Sequence, residues 1–419
     1  MKKINTYTVS FAALLLFCIS CDKVDPATGP VDDGPEGNPL KVVELSTKSR
    51  EYVRQGNTFA FEFIDRINTA EKKDYIISPL SMQFLLGMLL DGAQGQTADE
   101  ICKVLGYGAG EVDAVNEYCQ SMLEQLPNLD KRTKMSIANA IFVNKQYPIL
   151  NGYKNSVEKY YQAEVTNLDF TKASALKTIN NWCDQKTEGM VPKVLEEVDP
   201  SMLAYLLNAL YFKSRWQVVF PKNNTGSGAF TTGNGSVKQV PIMKNKAHFQ
   251  YQETEEFRAV RLPYGNYAFC MTVILPQEGK TLSDVTKALK TVDFQDFYKS
   301  MVVCNVDLWL PKFETKYGKE LNDILSAMGM PSAFIPDKAN FLSMSDYALN
   351  LSFVKQDAAI KVEEEGTEAA AVSTAGMRAA HYNPRPLDDI VFHADHPFLY
   401  LITETSTHTV LFAGRYGAE

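Results

Sequence analysis

The chain has 419 residues, 45% of them apolar and 22% charged, enough to bury one large core or two medium ones. Its formal net charge of −8 argues against nucleic acid as a partner, which calls for a basic face.

The first residues read as a targeting segment outside the fold. Lys2 and Lys3 precede the apolar run Phe11 to Ile19, too short to cross a bilayer, which takes about 20 residues. Ser20 and Cys21 follow. A small residue before a cysteine reads as a bacterial lipoprotein signal over residues 1–20, with Cys21 cleaved free and acylated. Cys18 stands where such signals usually carry leucine, and an ordinary signal peptide with a chance cysteine is the alternative. Residues 21–39 hold Pro26, Pro30, Pro35, Pro39, three glycines and five acidic residues. Such a stretch buries too little to repay ordering and reads as a flexible tether. The expected location is secreted and lipid-anchored to a bacterial outer membrane, periplasmic or surface-exposed.

No second linker or internal repeat interrupts the chain after Leu40, so residues 40–419 read as one domain. The first half has helical spacing, as in Phe59, Phe63, Ile64 and Ile67 and again in Leu176, Ile179 and Cys183. The second half alternates: Cys304, Val306, Leu308 and Leu310 share one face, with Asn305, Asp307 and Trp309 on the other. Ala268 to Leu275, Phe398 to Glu404 and Thr409 to Ala413 are further β-rich runs. The pattern gives a mixed α+β domain with large sheets. Cys102, Cys119, Cys183, Cys270 and Cys304 lack metal-ligand spacing and are odd in number, so they read as small buried hydrophobes.

Nothing supports catalysis. His393 and His396 flank Ala394 and Asp395, but Pro397 follows at once and no helix can align them, so no metal is expected. No G-x-S-x-G elbow is present. Gly92 to Thr97 lacks the lysine of a phosphate loop and reads as a helix-ending turn. Glu363, Glu364 and Glu365 read as a solvated acidic run rather than paired catalytic carboxylates.

The unusual stretch is Glu363 to Ala380, small residues almost without charge after Glu368. Taken with a period of two, Thr367, Ala369, Ala371, Ser373, Ala375 and Met377 line one face, and Glu368, Ala370, Val372, Thr374, Gly376 and Arg378 the other. The first face is uncharged and small, as a strand entering a preformed sheet requires. No proline interrupts residues 363–383. Alanine, glycine and serine are nevertheless poor strand formers, and composition leaves a host-sheet strand, a flexible loop and a helix open.

This segment resembles the reactive-centre loop hinge of inhibitory serpins: an acidic pair, Gly366-Thr367-Glu368, then Ala369, Ala370 and Ala371. The resemblance extends over the whole domain. It includes Ile77-Ser78-Pro79-Leu80-Ser81, the Gly92 to Thr97 turn, Asn139 to Phe142, Asn208 to Trp216, Leu262-Pro263-Tyr264 and Leu310 to Phe313. Phe341 to Asp346, His396-Pro397-Phe398 and Phe412 to Arg415 complete it, in family order.

The resemblance implies an α+β serpin fold: three β-sheets, about eight or nine helices and an exposed reactive-centre loop over about residues 363–390. It implies a suicide inhibitor rather than an enzyme. A target serine protease cuts the loop, is held as an acyl-enzyme, and is displaced as the loop inserts into the large sheet. Papain-like cysteine proteases are a second target class. By the resemblance, Thr367 is buried first, Ser78, Ser81 and Asn208 form the shutter beneath the opening strands, and Trp216 is the breach tryptophan. Gln356 stands where many members carry a histidine and can both donate and accept hydrogen bonds. Family spacing from Gly366 puts the scissile bond at Ala380-His381, which suits elastase-like pockets. The stretch from Ala380 to Pro397 is longer than in typical members, and Met377, Arg378 and Tyr382 are the alternatives, Arg378 for trypsin-like enzymes. Residues 113–130 carry no Lys or Arg, so no glycosaminoglycan activation is expected. No cofactor is implied, and a monomer is expected. The competing reading is a non-inhibitory serpin acting as a binding or carrier protein; its hinge would tend to carry bulky, charged or proline residues, which this one lacks.

Overall fold

The computed structural model describes residues 37–367 and 388–418. The signal segment with Cys21, and Glu368, Ala369, Ala370, Ala371, Met377, Arg378, Ala380, His381 and Tyr382, lie outside the described residues.

Helices α1 Thr47–Ala70, α2 Pro79–Gly92, α3 Gly95–Leu105, α4 Val112–Gln125, α5 Asn151–Tyr160 and α6 Ala173–Lys186 dominate the first half. The second half adds α7 Leu282–Leu289, α8 Phe294–Ser300 and α9 Asn322–Met328. Helix α1 buries Phe59, Phe63, Ile64 and Ile67, the stripe read from spacing. Helix α2 is different: almost every residue is buried, so it is a core helix without a polar face. Ser78 caps it by accepting from the Ser81 N–H, and Pro79 occupies the first turn, where no N–H is needed.

The strands are β1 Tyr75–Ile77, β2 Lys134–Asn144, β3 Glu164–Leu168, β4 Ala204–Arg215, β5 Gly226–Thr231, β6 Val237–Glu253, β7 Phe257–Pro263 and β8 Phe269–Pro276. They continue with β9 Val302–Pro311, β10 Phe313–Glu320, β11 Lys355–Glu363, β12 Gly366–Thr367, β13 Asp389–His393, β14 Phe398–Glu404 and β15 Val410–Tyr416. The large sheet runs β10-β11-β12-β4-β2-β3. The other nine strands form one continuous ladder in the order β1-β15-β14-β8-β7-β6-β9-β13, with β5 also paired to β6, and the last residues of the long β6 make the link to β7. Strand β9 alternates as its sequence does, with Cys304, Val306, Leu308 and Leu310 buried.

Two apolar cores sandwich the large sheet. The main one lies between the sheet and α2 with the β14–β15 strands. A smaller one packs α6, through Ile179 and Trp182, on Phe142, Tyr205 and Leu207 of the opposite face. The five described cysteines are free and buried.

Two boundaries move inward. The tether reading over residues 21–39 ran too far. Asn38 is buried and donates to the Asp130 carboxylate at 2.7 Å, and the Pro39 carbonyl accepts from Asn266 at 2.9 Å. The loop reading over residues 363–390 was also too wide. Glu363 closes β11, Gly366 and Thr367 are paired in β12, and Asp389 and Ile390 pair in parallel with β9.

Candidate functional site: the strand pair around Thr367

Strand β11 ends at Glu363, and Glu364 and Glu365 turn the chain back into β12. Thr367 pairs with Val362 on one side and Ser214 on the other, so two residues of a new antiparallel strand lie between β11 and β4. Among the described residues no ladder joins β11 directly to β4. Below Thr367 the two strands flank a small cavity lined by Leu210, Phe212 and Ile360, and by Thr187 and Val191 of the segment after α6. A second cavity farther along is lined by Leu85, Leu89, Leu206 and Val354.

Residue size is fixed at both β12 positions. A Cβ on Gly366 would lie 2.1 Å from the Ser214 carbonyl oxygen and 2.7 Å from Arg215 Cα. Both are backbone atoms that cannot step aside, so only glycine fits. Thr367 is 2% exposed, and its hydroxyl is hydrogen-bonded to that of Tyr264. Burial holds the Tyr264 phenol far above its ordinary pKa, so it stays a neutral partner. Trp216 stacks on Tyr264 with ring centroids 4.3 Å apart. Its indole N–H donates to the Glu363 carbonyl at 2.9 Å, and its backbone N–H to the Glu365 carbonyl at 3.0 Å. The tryptophan thus holds the β11–β12 turn by the backbone.

The three glutamates are not the solvated run their sequence implied. Lys312 sits 3.1 Å from both Glu363 and Glu364, Lys361 is 3.1 Å from Glu363, and Lys222 is 2.7 Å from Glu365. Desolvation pushes the Glu363 and Glu364 carboxyls up; Lys361 and Lys312 outweigh it at Glu363, and at Glu364 its own backbone N–H, with Lys312 and Thr225, does so, and both end below the usual carboxylate range. Desolvation lowers Lys312, and the same two carboxylates raise it above its ordinary value. A sequence run cannot reveal this, because Lys312 and Lys222 come from distant segments.

Farther along the strand pair, a hydrogen-bonded chain crosses the start of α2. Gln356 of β11 accepts from the Ser78 N–H at 3.0 Å and donates to the Ser78 carbonyl at 2.8 Å. The Ser78 hydroxyl donates to the Leu411 carbonyl at 2.7 Å. Ser81 is bonded to Asn208 of β4, whose amide donates to Asn139 at 2.7 Å, and Asn139 donates to the Tyr161 carbonyl at 2.7 Å. The structure therefore brings Ser78, Ser81, Asn208 and Gln356 into one network, and Gly366, Thr367 and Trp216 into another nearer the end of the strands. Asn139 and Tyr161 in the first network, and Tyr264, Lys312 and Lys361 at the second, went unassigned in the sequence. Asn139, Tyr264 and Lys312 fall inside quoted motifs, but nothing there names their partners.

The architecture is a large sheet with two residues of an extra strand seated between its central strands β11 and β4. The family model described as Serpin (serine protease inhibitor) matches residues 54–417. Serpin B6 of Pongo abelii is 33% identical over 372 residues, covering 86% of this chain and 97% of that protein. The leukocyte elastase inhibitor of Xenopus laevis is 32% identical over 86% of this chain and 97% of its own length. The native-state structure of the thermophilic serpin Tengpin superposes with a TM-score of 0.80 at 29% identity, covering 90% of this chain and 96% of Tengpin. The chain belongs to the serpin family.

Proposed function

We propose that this serpin is a suicide inhibitor of serine proteases, consumed by its target rather than turning it over. The observation that carries the reading is the seating of Gly366 and Thr367 between β11 and β4, strands that no ladder joins directly among the described residues. A strand continuing the Thr367–Ser214 register would bring Ala369 opposite Phe212, Ser373 opposite Asn208 and Met377 opposite Ala204, where β4 begins. The side chains due to face the main core are the small ones of that segment, so full insertion meets no bulk before Met377. Each newly paired residue adds backbone hydrogen bonds on both sides, the driving force for moving an attached protease.

Ala380 is the proposed bait residue, with Met377, Arg378 and Tyr382 as further usable bonds. An elastase-like enzyme would cut after Ala380 and a trypsin-like one after Arg378. Glu363, Gly366, Thr367, Glu368 and Ala369 to Ala371 act as the hinge. Trp216 guards the point of entry, and Ser78, Ser81, Asn208 and Gln356 act as the shutter. Acylation of Cys21 would tether the inhibitor to a bacterial membrane and keep it near the proteases it meets.

The test is to mix the mature domain with pancreatic elastase and, separately, with trypsin. Products are resolved on denaturing gels, and the released C-terminal peptide is weighed. A gel-stable complex with a peptide beginning at His381 is expected. Cleavage without any complex across several serine proteases would reject inhibition.

A further inference from the structure

Thr367 has Ser214 opposite it in the ladder and Tyr264 bonded to its hydroxyl. Both contacts lead back to one buried carboxylate. Asp130, only 3% exposed, opens the turn into β2. Its Oδ2 accepts from the Thr133 hydroxyl at 2.6 Å, and that hydroxyl lies 2.6 Å from the Ser214 hydroxyl. A hydroxyl has one proton to donate. Thr133 gives its proton to Asp130, so Ser214 must donate to Thr133, and the bonds run from Ser214 through Thr133 to Asp130.

The second arm reaches Tyr264. Residues 264–267 form a tight turn, closed by the Tyr267 N–H donating to the Tyr264 carbonyl at 2.7 Å. Inside it the Asn266 N–H donates to Asp130 Oδ2 at 3.3 Å. The Gly265 N–H donates to the Arg215 carbonyl at 2.9 Å. A Cβ on Gly265 would lie 1.8 Å from Asp130 Oδ2, so the carboxylate packs on a bare Cα. Oδ1 accepts from the Arg132 N–H at 2.9 Å and from the Asn38 amide at 2.7 Å. Hydrogen bonds to an ionised acceptor are the strong ones, and a fully bonded buried group fixes the geometry of its donors.

We propose that Asp130 is the positioning residue of the Thr367 seat: its carboxylate fixes Ser214 and Tyr264 relative to each other, and with them both contacts of Thr367. This rests on the inhibitory reading above. Asp130 acts through Thr133 on one side and through the 264–267 turn on the other. Only a carboxylate suits the place. Oδ1 faces two N–H donors, and Oδ2 faces one N–H and one hydroxyl. The amide of Asp130→Asn therefore sets N–H against N–H whichever way it turns.

Trp216, stacked on Tyr264, reports the seat in the uncut protein. Its emission and its quenching by acrylamide are read in a Trp182→Phe, Trp309→Phe background. Asp130→Asn, Thr133→Val and Thr133→Ser are compared with the parent and with Val285→Ala, a buried position on α7. Asp130→Asn and Thr133→Val should shift the emission and raise the quenching. Thr133→Ser, which keeps the hydroxyl, should match the parent, and Val285→Ala should lower the melting temperature alone. With elastase, cleaved inhibitor relative to gel-stable complex should rise about five-fold in the first two, the factor that one buried hydrogen bond is worth. If Asp130→Asn does not fold, the two Thr133 variants decide. A Trp216 signal unmoved by Thr133→Val, or moved as far by Val285→Ala, would overturn the positioning role while leaving inhibition standing. A parent that forms no complex with any serine protease tried would overturn the inhibitory reading, and the Trp216 signal would still decide whether Asp130 sets the seat.

Discussion

The two networks along the β4–β11 strand pair hold it in different ways. At the Thr367 end the hold is ionic and backbone-based: Lys312, Lys361 and Lys222 clamp three glutamates, and Trp216 fastens the turn by two carbonyls. At the α2 end it is neutral and made by side chains. Ser78 grips β11 through Gln356, and Ser81 grips β4 through Asn208. One helix start therefore spans two strands that no ladder connects directly among the described residues. The difference teaches where selectivity lies. The ionic end is tunable by pH and salt. The neutral end is buried, indifferent to both, and sets how firmly the strands stay in place.

The largest expected break comes from Thr367→Arg. A guanidinium beside Tyr264 would be buried without a partner, at a cost of about 3–5 kcal/mol, so the hinge should leave its seat. Cleavage by elastase should then continue with no gel-stable complex, and retained complexes would contradict the seating argument. Next is Gln356→Met, which keeps the volume but strands the Ser78 N–H and carbonyl. Buried unsatisfied groups cost about 1–3 kcal/mol each, so the melting temperature of the uncut protein should fall, while the pH response of the ionic end should not change.

The pH response sharpens the contrast further. Glu363 and Glu364 have folded pKa values below their ordinary range, so they contribute stability above about pH 4.5. That contribution fades as pH falls through their lowered folded values. Lys312, raised in the fold, contributes below about pH 10.4 and loses its share only as pH rises through its raised value. Trp216 fluorescence, read in a Trp182→Phe, Trp309→Phe background, should therefore be flat through neutrality and change in acid. Lys312→Met should flatten the acid change; an unaltered profile would show that the clamp is not its source. The smallest effect is expected for Trp216→Phe. It keeps a ring on Tyr264 but loses the hydrogen bond to the Glu363 carbonyl, worth about 1 kcal/mol, read as a small shift in denaturant midpoint.

Much of this was legible in the sequence because it depends on local periodicity. The α1 stripe and the alternation of β9 follow from spacings of 3.6 and 2. Motif order carried the family, and with it the pairing of distant segments such as Ser78 with Gln356. What the sequence alone could not decide was anything set by charge meeting charge across the fold. Glu363 to Glu365 look solvated as a run of three acids, yet beside the neighbouring Lys361 they are neutralised by Lys312 and Lys222, which arrive from distant segments. Gly366 looks like a flexible hinge, but the nearness of the Ser214 and Arg215 backbone is what excludes any side chain there. A chain writes its periodicities into neighbouring residues, whereas electrostatic partners and close backbone approaches exist only once distant segments have been packed together.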